Sequence, residues 1–235
     1  MNQNKINCLD HGFIILRNAS GPTRRADAPF DADDIDPANT ARISFDNLDV
    51  DRAREQDLKL YEYLISNKHN TPVEMIETWW EMKLPIFVAR QFVRHRTACI
   101  NEVSARYSVL PAEWYIPEVV GGKTKSNKQG QEDNLGEATQ LWFKAELYYA
   151  CDCSYKHYKE AIASGVAPEH ARLFLHVNHY THWVWKQDLS NLMHFLSLRL
   201  HPHAQVEARV YAQAMYDLLK QYLPKSMEFF ETYRL

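Results

Sequence analysis

The chain has 235 residues, 46% of them hydrophobic and 24% charged, which is the composition of an ordinary globular domain. Its formal net charge of -3 and sequence pI near 6.4 exclude a general nucleic-acid or membrane-surface binder, because such affinity needs many distributed cations. The four cysteines (Cys8, Cys99, Cys151, Cys153) form no CxxC pair, and no N-terminal apolar run resembles a signal peptide or membrane span. The expectation is a cytoplasmic protein with reduced thiols.

In chain order, residues 12–16 are a short apolar strand candidate, followed by a polar, proline-containing stretch to about Asp34. Residues 51–67 place Leu58, Tyr61, Leu64 and Ile65 on one face of an amphipathic helix. From 76 to 84 the period changes to two, with Ile76, Thr78, Trp80, Met82 and Leu84 alternating against Glu77, Trp79, Glu81 and Lys83, the pattern of a strand with one buried face. Trp79 breaks the polar face and is a candidate for contact with a partner subunit. Pro85 then suits the first turn of a helix that ends near Arg94, so that Arg90 and Arg94 share a face and the arginines sit at or beyond the helix end.

Residues 121–132 are polar and aperiodic, which predicts a mobile surface loop, either a lid or a plain solvated insertion. Residues 135–164 have helical spacing and stop at Gly165. Cys151 and Cys153 fall in that helix two apart, where side chains do not face each other, so a structural role is expected. Pro168 restarts a helix carrying Glu169, His170, Arg172 and His176. Residues 180–186 read as an aromatic strand, and helices follow at about 189–200 and 204–222. Tyr211, Ala212, Met215 and Tyr216 form a face suited to an interface or a core. Early strands and later helices point to the α+β class, as one compact domain over residues 1–235 with a small antiparallel sheet flanked by helices.

The segment RHRTACINEVSARY, residues 94–107, resists explanation as fold alone. Between Lys83 and Arg106 the chain carries Lys83, Arg90, Arg94, Arg96 and Arg106 against the single acid Glu102. Clustered guanidinium groups repel one another unless an anion neutralises them, and planar bidentate forks suit phosphate. A local cationic site in an otherwise acidic chain points to a small phosphorylated ligand, and Cys99 lies within it. His176, His179 and His182 recur every three residues, but that spacing drifts around a helix and matches no metal motif, so no metal is expected. Ser104 lacks the exposed turn and adjacent base of a nucleophile, and ligand hydrogen bonding is the expected role. Only 7 glycines occur, with no GxGxxG or Walker loop.

The spacing from RHR across seven residues to Ser104 resembles the signature of flavin-dependent thymidylate synthases. ARISF at 41–45, HNTPVEM at 69–75, PIFVARQFVRHR at 85–96, PEHAR at 168–172 and NLMHFLSLRLHPHAQVE at 191–207 resemble further segments of that family in the same order. The resemblance implies conversion of dUMP to dTMP, with methylenetetrahydrofolate as carbon donor, FAD as redox cofactor and NADPH as electron source. It also implies a homotetramer whose active sites draw on several subunits. Thr71, Arg94, His95, Arg96, Glu102, Asp188, Ser190 and His194 would contact FAD. Gln91, Arg94, Glu102, Ser104, Ala105, Arg106, Arg172 and Arg199 would surround dUMP, with Arg199 as the catalytic group that stabilises charge on the pyrimidine. His69 and the aromatics near Trp79 are candidates for the folate. The chain departs from the family in carrying Asp188, Ser190 and Ala105 where Asn, a basic residue and Gly are common. Two alternatives stand beside this reading: flavin- and folate-dependent methylation of another uracil substrate, and a nonenzymatic nucleotide-binding protein.

Overall fold

The structure is a computed structural model that describes residues 4–22, 30–46, 52–123, 131–132 and 135–235. In chain order its strands are β1 (Lys5–Cys8), β2 (Gly12–Ser20), β3 (Glu77–Pro85), β4 (Cys99–Glu102), β5 (Gly122–Lys123), β6 (Gln131–Glu132) and β7 (Tyr180–Asp188). The α-helices are α1 (Asp36–Ala41), α2 (Arg54–Ser66), α3 (Ile86–Phe92), α4 (Glu137–Ala163), α5 (Pro168–Ala171), α6 (Leu189–Arg199), α7 (Val206–Tyr222) and α8 (Pro224–Tyr233). Among the described residues, β1-β2-β3-β7-β4 form one antiparallel sheet in that order, and β5 pairs with β6 separately.

The alternation along β3 builds the core. Its partner is β7, paired from Glu77 opposite Asp188 to Pro85 opposite Tyr180, with Trp80 facing Trp185 and Met82 facing Trp183. On the other flank Leu16 pairs with Trp80 and Ile14 with Met82. Paired residues share a sheet face, so these side chains form one apolar layer. Phe92, Phe195, Tyr211 and Met215 from α3, α6 and α7 join it in the buried core. The opposite face of the sheet is ionic. Glu81 takes both Arg17 and His182, while Lys83 pairs with Glu113 at 2.6 Å and Lys186 with Glu77 at 2.9 Å.

One contact locks α7 to this sheet, and another ties α8 to the segment that precedes α1. Tyr211 donates its hydroxyl proton to the Lys83 carbonyl at 2.7 Å, and a Cβ at Gly12 would lie 2.0 Å from that hydroxyl oxygen, so only glycine fits there. At the start of α8, Asp34 accepts from the Lys225 and Ser226 amides at 3.0 and 2.8 Å and from the Ser226 hydroxyl at 2.7 Å. A residue 192 positions away thus satisfies the orphan donors of a helix N-terminus. Burial, opposed by these donors, leaves the Asp34 carboxyl above its ordinary range.

Several expected elements differ in detail. The strand expected at 12–16 continues to Ser20. The helix expected at 51–67 spans Arg54–Ser66, with Tyr61, Leu64 and Ile65 buried; Asp51 lies outside the described residues. Pro85 is not in the first helical turn. It closes β3 with an extended backbone, ψ 144°, and caps α3 from outside because it still pairs with Tyr180. Since α3 ends at Phe92, Arg94 lies in the turn beyond it, and Arg90 and Arg94 do not share a helix face. The chain leaves the helix there to return as β4 against β7.

α4 stops where expected, with Gly165 at φ +82°. The helix from Pro168 covers only four residues and tightens into a 3-10 turn at Arg172–Phe174, which leaves His176 outside it on the approach to β7. Tyr211, Ala212 and Met215 are fully buried, so that face is core. The expected loop at 121–132 begins and ends in the β5–β6 pair, while residues 124–130 and 133–134, like part of the polar stretch before Asp34, lie outside the described residues.

Asp34→Ala is expected to cost about 2 kcal/mol or more by exposing three donors to an apolar setting, measured by urea denaturation. His179 is buried, and burial holds its imidazole down to about 4. A histidine whose pKa is lowered by folding contributes stability that is fully present above its ordinary value near 6.5 and is lost as pH falls toward about 4. The denaturation midpoint should therefore drop across that window, and His179→Gln should flatten part of the drop.

Candidate active site

The residues singled out in the sequence gather in three places, set by where the sheet releases the chain. The first is the meeting of two helix C-termini. Arg199, the last residue of α6, donates from Nε to His95 Nε2 at 3.2 Å and from a terminal nitrogen to the Gln91 carbonyl at 3.2 Å. That carbonyl belongs to the last turn of α3, where unpaired C=O groups carry partial negative charge and attract a cation. The Gln91 side chain is itself held by Gln205, the residue that precedes α7.

His95 packs edge-on against Phe195 with ring centroids 4.8 Å apart and lies 6.4 Å from the His194 ring. Burial first, then the positive charge of Arg199 and the His194 ring, depress its pKa to about 4. It is therefore neutral near pH 7, and the Arg199 donation assigns the proton to Nδ1. Burial also lowers the Arg199 pKa, yet a guanidinium remains charged at any working pH. Arg94 and Arg96 flank His95 as exposed cations, with no ion pair among the described residues.

The second place lies past the far end of β4. Glu102 accepts from the Thr181 hydroxyl, and the Val103 amide bonds the His182 carbonyl at 2.8 Å. The chain then turns: Ser104 Oγ accepts the Arg106 amide at 3.2 Å, and Ala105 is buried at 9% exposure. Arg106 reaches Glu169 at 3.2 Å, and Arg172 Nε donates to the Glu169 carbonyl at 3.4 Å, so two guanidinium groups from opposite halves of the sequence converge. Ser104 here shapes the turn that carries Arg106.

These two clusters lie apart. Thr97 accepts from Gln187 and Val103 bonds His182, five positions of β7 apart, which at strand rise is about 16 Å. No hydrogen bond or ion pair among the described residues joins the Arg199 cluster to the Arg106–Arg172 cluster.

The third place is the junction of β7 and α6. Asp188 caps α6, accepting the Asn191 amide at 2.9 Å and its side-chain nitrogen at 2.7 Å. Ser190 is buried and accepts from Arg234 at 3.3 Å, and Arg234 also reaches Asn70, next to the exposed Thr71. His194 is exposed on α6, and Cys99 is exposed on β4. His69 is exposed, and half-buried Trp79 carries the Lys186 ammonium 5.8 Å from its ring centroid.

The three histidines have separate surroundings: His176 lies 3.9 Å from the Cys151 sulfur, His179 is stacked on Tyr155, and His182 pairs with Glu81 at 2.8 Å. Among the described residues no three His, Cys, Asp or Glu side chains are grouped to hold a metal ion. Two site residues escaped the sequence reading. Glu169 sits three before Arg172 within PEHAR, on one helical turn, and Gln205 lies within the HPHAQVE segment; both spacings were visible, but the partners lie 63 and 114 residues away.

This geometry can be set beside known proteins. Residues 30–225 match the family model described as thymidylate synthase complementing protein. The flavin-dependent thymidylate synthase of Gluconobacter oxydans is 41% identical over 232 residues, 97% of this chain and 72% of the relative. That of Rickettsia conorii is 40% identical over 245 residues, 98% of this chain and 79% of the relative. Among solved structures, the UMP/dUMP methylase PolB of Streptomyces cacaoi bound with 5-Br dUMP superposes with a TM-score of 0.82 at 26% identity, covering 97% of this chain and 98% of that one. The matched span runs from before α1 to the start of α8 and takes in the Arg199 and Arg106–Arg172 clusters and the β7–α6 junction, leaving out Arg234. A match over that span, together with relatives near 40% identity along almost the whole length, shows that the chain belongs to the thymidylate synthase complementing protein family.

Proposed function

We propose that this chain is a flavin-dependent thymidylate synthase, converting dUMP to dTMP with methylenetetrahydrofolate, FAD and NADPH. The observation that carries the reading is the half-buried Arg199 guanidinium, fixed by the Gln91 carbonyl and by a neutral His95. A guanidinium so held can stabilise negative charge on the pyrimidine N3 and O2 as C5 becomes nucleophilic, a preorganised electrostatic contribution that needs no protein nucleophile.

The residues present fit a flavin nucleotide. Arg94 and Arg96 offer exposed cations, without an ion pair among the described residues, to a diphosphate beside the His95 ring, and Thr71, Glu102 and His194 complete the candidate set. Asp188 and Ser190 already accept from Asn191 and Arg234, so they would join it through the remaining carboxylate lone pairs and the Ser190 O–H. When bound, FAD supplies hydride chemistry, drawing on NADPH, while methylenetetrahydrofolate supplies the carbon. Arg106, Arg172 and the Ser104 hydroxyl are the phosphate-binding groups for dUMP, and Gln91, Arg94, Glu102 and the Ala105 turn surround the rest of the nucleotide.

Because the Arg199 and Arg106–Arg172 clusters sit on either side of β4, we place each substrate between two protomers, Arg199 from one and the arginine pair from another, in a homotetramer. α4 supports assembly. Only Cys151 and Tyr158 of its 27 residues are buried, while Leu141, Trp142, Tyr148 and Tyr149 are 57 to 67% exposed. No helix is long and apolar enough to cross a membrane among the described residues, and the working compartment we infer is the cytoplasm. A second reading is favoured by the solved neighbour, a UMP/dUMP methylase: the chain methylates the ribonucleotide too.

Titration of the FAD-loaded protein with dUMP should shift the flavin absorption bands; flavin that ignores dUMP would remove the shared site. Comparing kcat/KM for UMP and dUMP decides between the two readings. Arg199→Ala should retain flavin and lower turnover by about 100-fold or more, whereas Ser104→Ala should mainly raise the dUMP KM. Coexpressed Arg199→Ala and Arg106→Ala chains should recover activity that neither has alone, and no recovery would mean that each protomer builds its own site.

A further inference from the structure

The Arg106–Arg172 pair is closed on one side by a single acid. Glu169 gives its carboxylate to Arg106 at 3.2 Å and its backbone carbonyl to Arg172 at 3.4 Å, so one residue of α5 orients both guanidinium groups. The pair with Arg106 contributes little to stability: the two side chains are 52% and 48% exposed, and surface ion pairs are weak. Its effect is on the charge of the pocket. Arg106 and Arg172 alone would present two positive charges, and with Glu169 the cluster carries one.

We propose that Glu169 is a specificity-determining residue that restricts this pocket to nucleoside monophosphates and rejects the corresponding di- and triphosphates. The inference rests on the reading of Arg106 and Arg172 as the phosphate-binding pair. A monophosphate is matched by two guanidinium forks even with Glu169 beside them. Each further phosphate adds negative charge that the forks no longer neutralise and that faces the Glu169 carboxylate. Among the described residues the other groups in contact with this cluster are neutral: the Tyr107 ring, 5.8 Å from the Arg106 guanidinium, and the Ser104 hydroxyl, already turned to the Arg106 amide. At a separation of about 6 Å and an intermediate effective dielectric, one such repulsion changes affinity by about tenfold. Removing a carboxylate therefore helps the polyphosphates more than it helps dUMP, whereas shortening the side chain while keeping the charge does not.

The test uses FAD-loaded full-length protein and competition of dUDP and dUTP against dUMP. For wild type, Glu169→Gln, Glu169→Ala and Glu169→Asp, the readout is the ratio of each competitor's inhibition constant to the dUMP KM. The ratio is expected to fall about tenfold in Glu169→Gln and Glu169→Ala and to hold in Glu169→Asp. If the ratio is unchanged in both neutral variants while Arg106→Ala still weakens dUMP, the role given to Glu169 is wrong although the phosphate site stands. If Arg106→Ala leaves dUMP binding intact, the phosphate-site reading fails and the selectivity argument fails with it.

Discussion

The pairing of β3 with β7 is the constraint on which the rest depends. Its two central tryptophans, Trp80 and Trp185, face each other in the buried layer, and Phe92 and Phe195 close over Trp185 from α3 and α6. Each strand leads directly into one of those helices, α3 from the Pro85 end and α6 from the Asp188 end. Antiparallel pairing therefore releases the two helices from opposite ends of one ladder and sends them toward each other. Their C-terminal residues meet, which is why Gln91, His95 and Arg199 are neighbours although 104 residues separate the last two.

Much of this scaffold was legible in the sequence, for an identifiable reason. β3 showed its period because one face is apolar and the other ionic; β7 showed itself through alternate aromatic residues. β4 could not be read: all four of its residues are exposed, so no apolar period marks it, and only backbone pairing with β7 defines it. α8 went unread because its anchor, the Asp34 carboxylate, is remote in sequence. The boundary at Pro85 was misplaced because that residue keeps its pairing with Tyr180 before local helix preference.

At the site, residue types were legible and their grouping was not. The basic segment marks a candidate anion site, but sequence spacing could not show that β4 carries Ser104 and Arg106 away from His95. Nor could it show that Asp188 spends its carboxylate on capping a helix. The same separation shifts the meaning of the motif: RHR and Ser104 are not two halves of one loop but the two ends of an edge strand.

The exposed aromatic face of α4 has a spectroscopic consequence. Of the six tryptophans, Trp80, Trp183 and Trp185 are sealed in the core and Trp114 is 9% exposed, while Trp142 is 62% exposed. Indole emission shifts to shorter wavelength as water is removed from around the ring. Trp142 is thus a native fluorophore on the exposed face of α4, and a blue shift of its emission would report the covering of that face without any label.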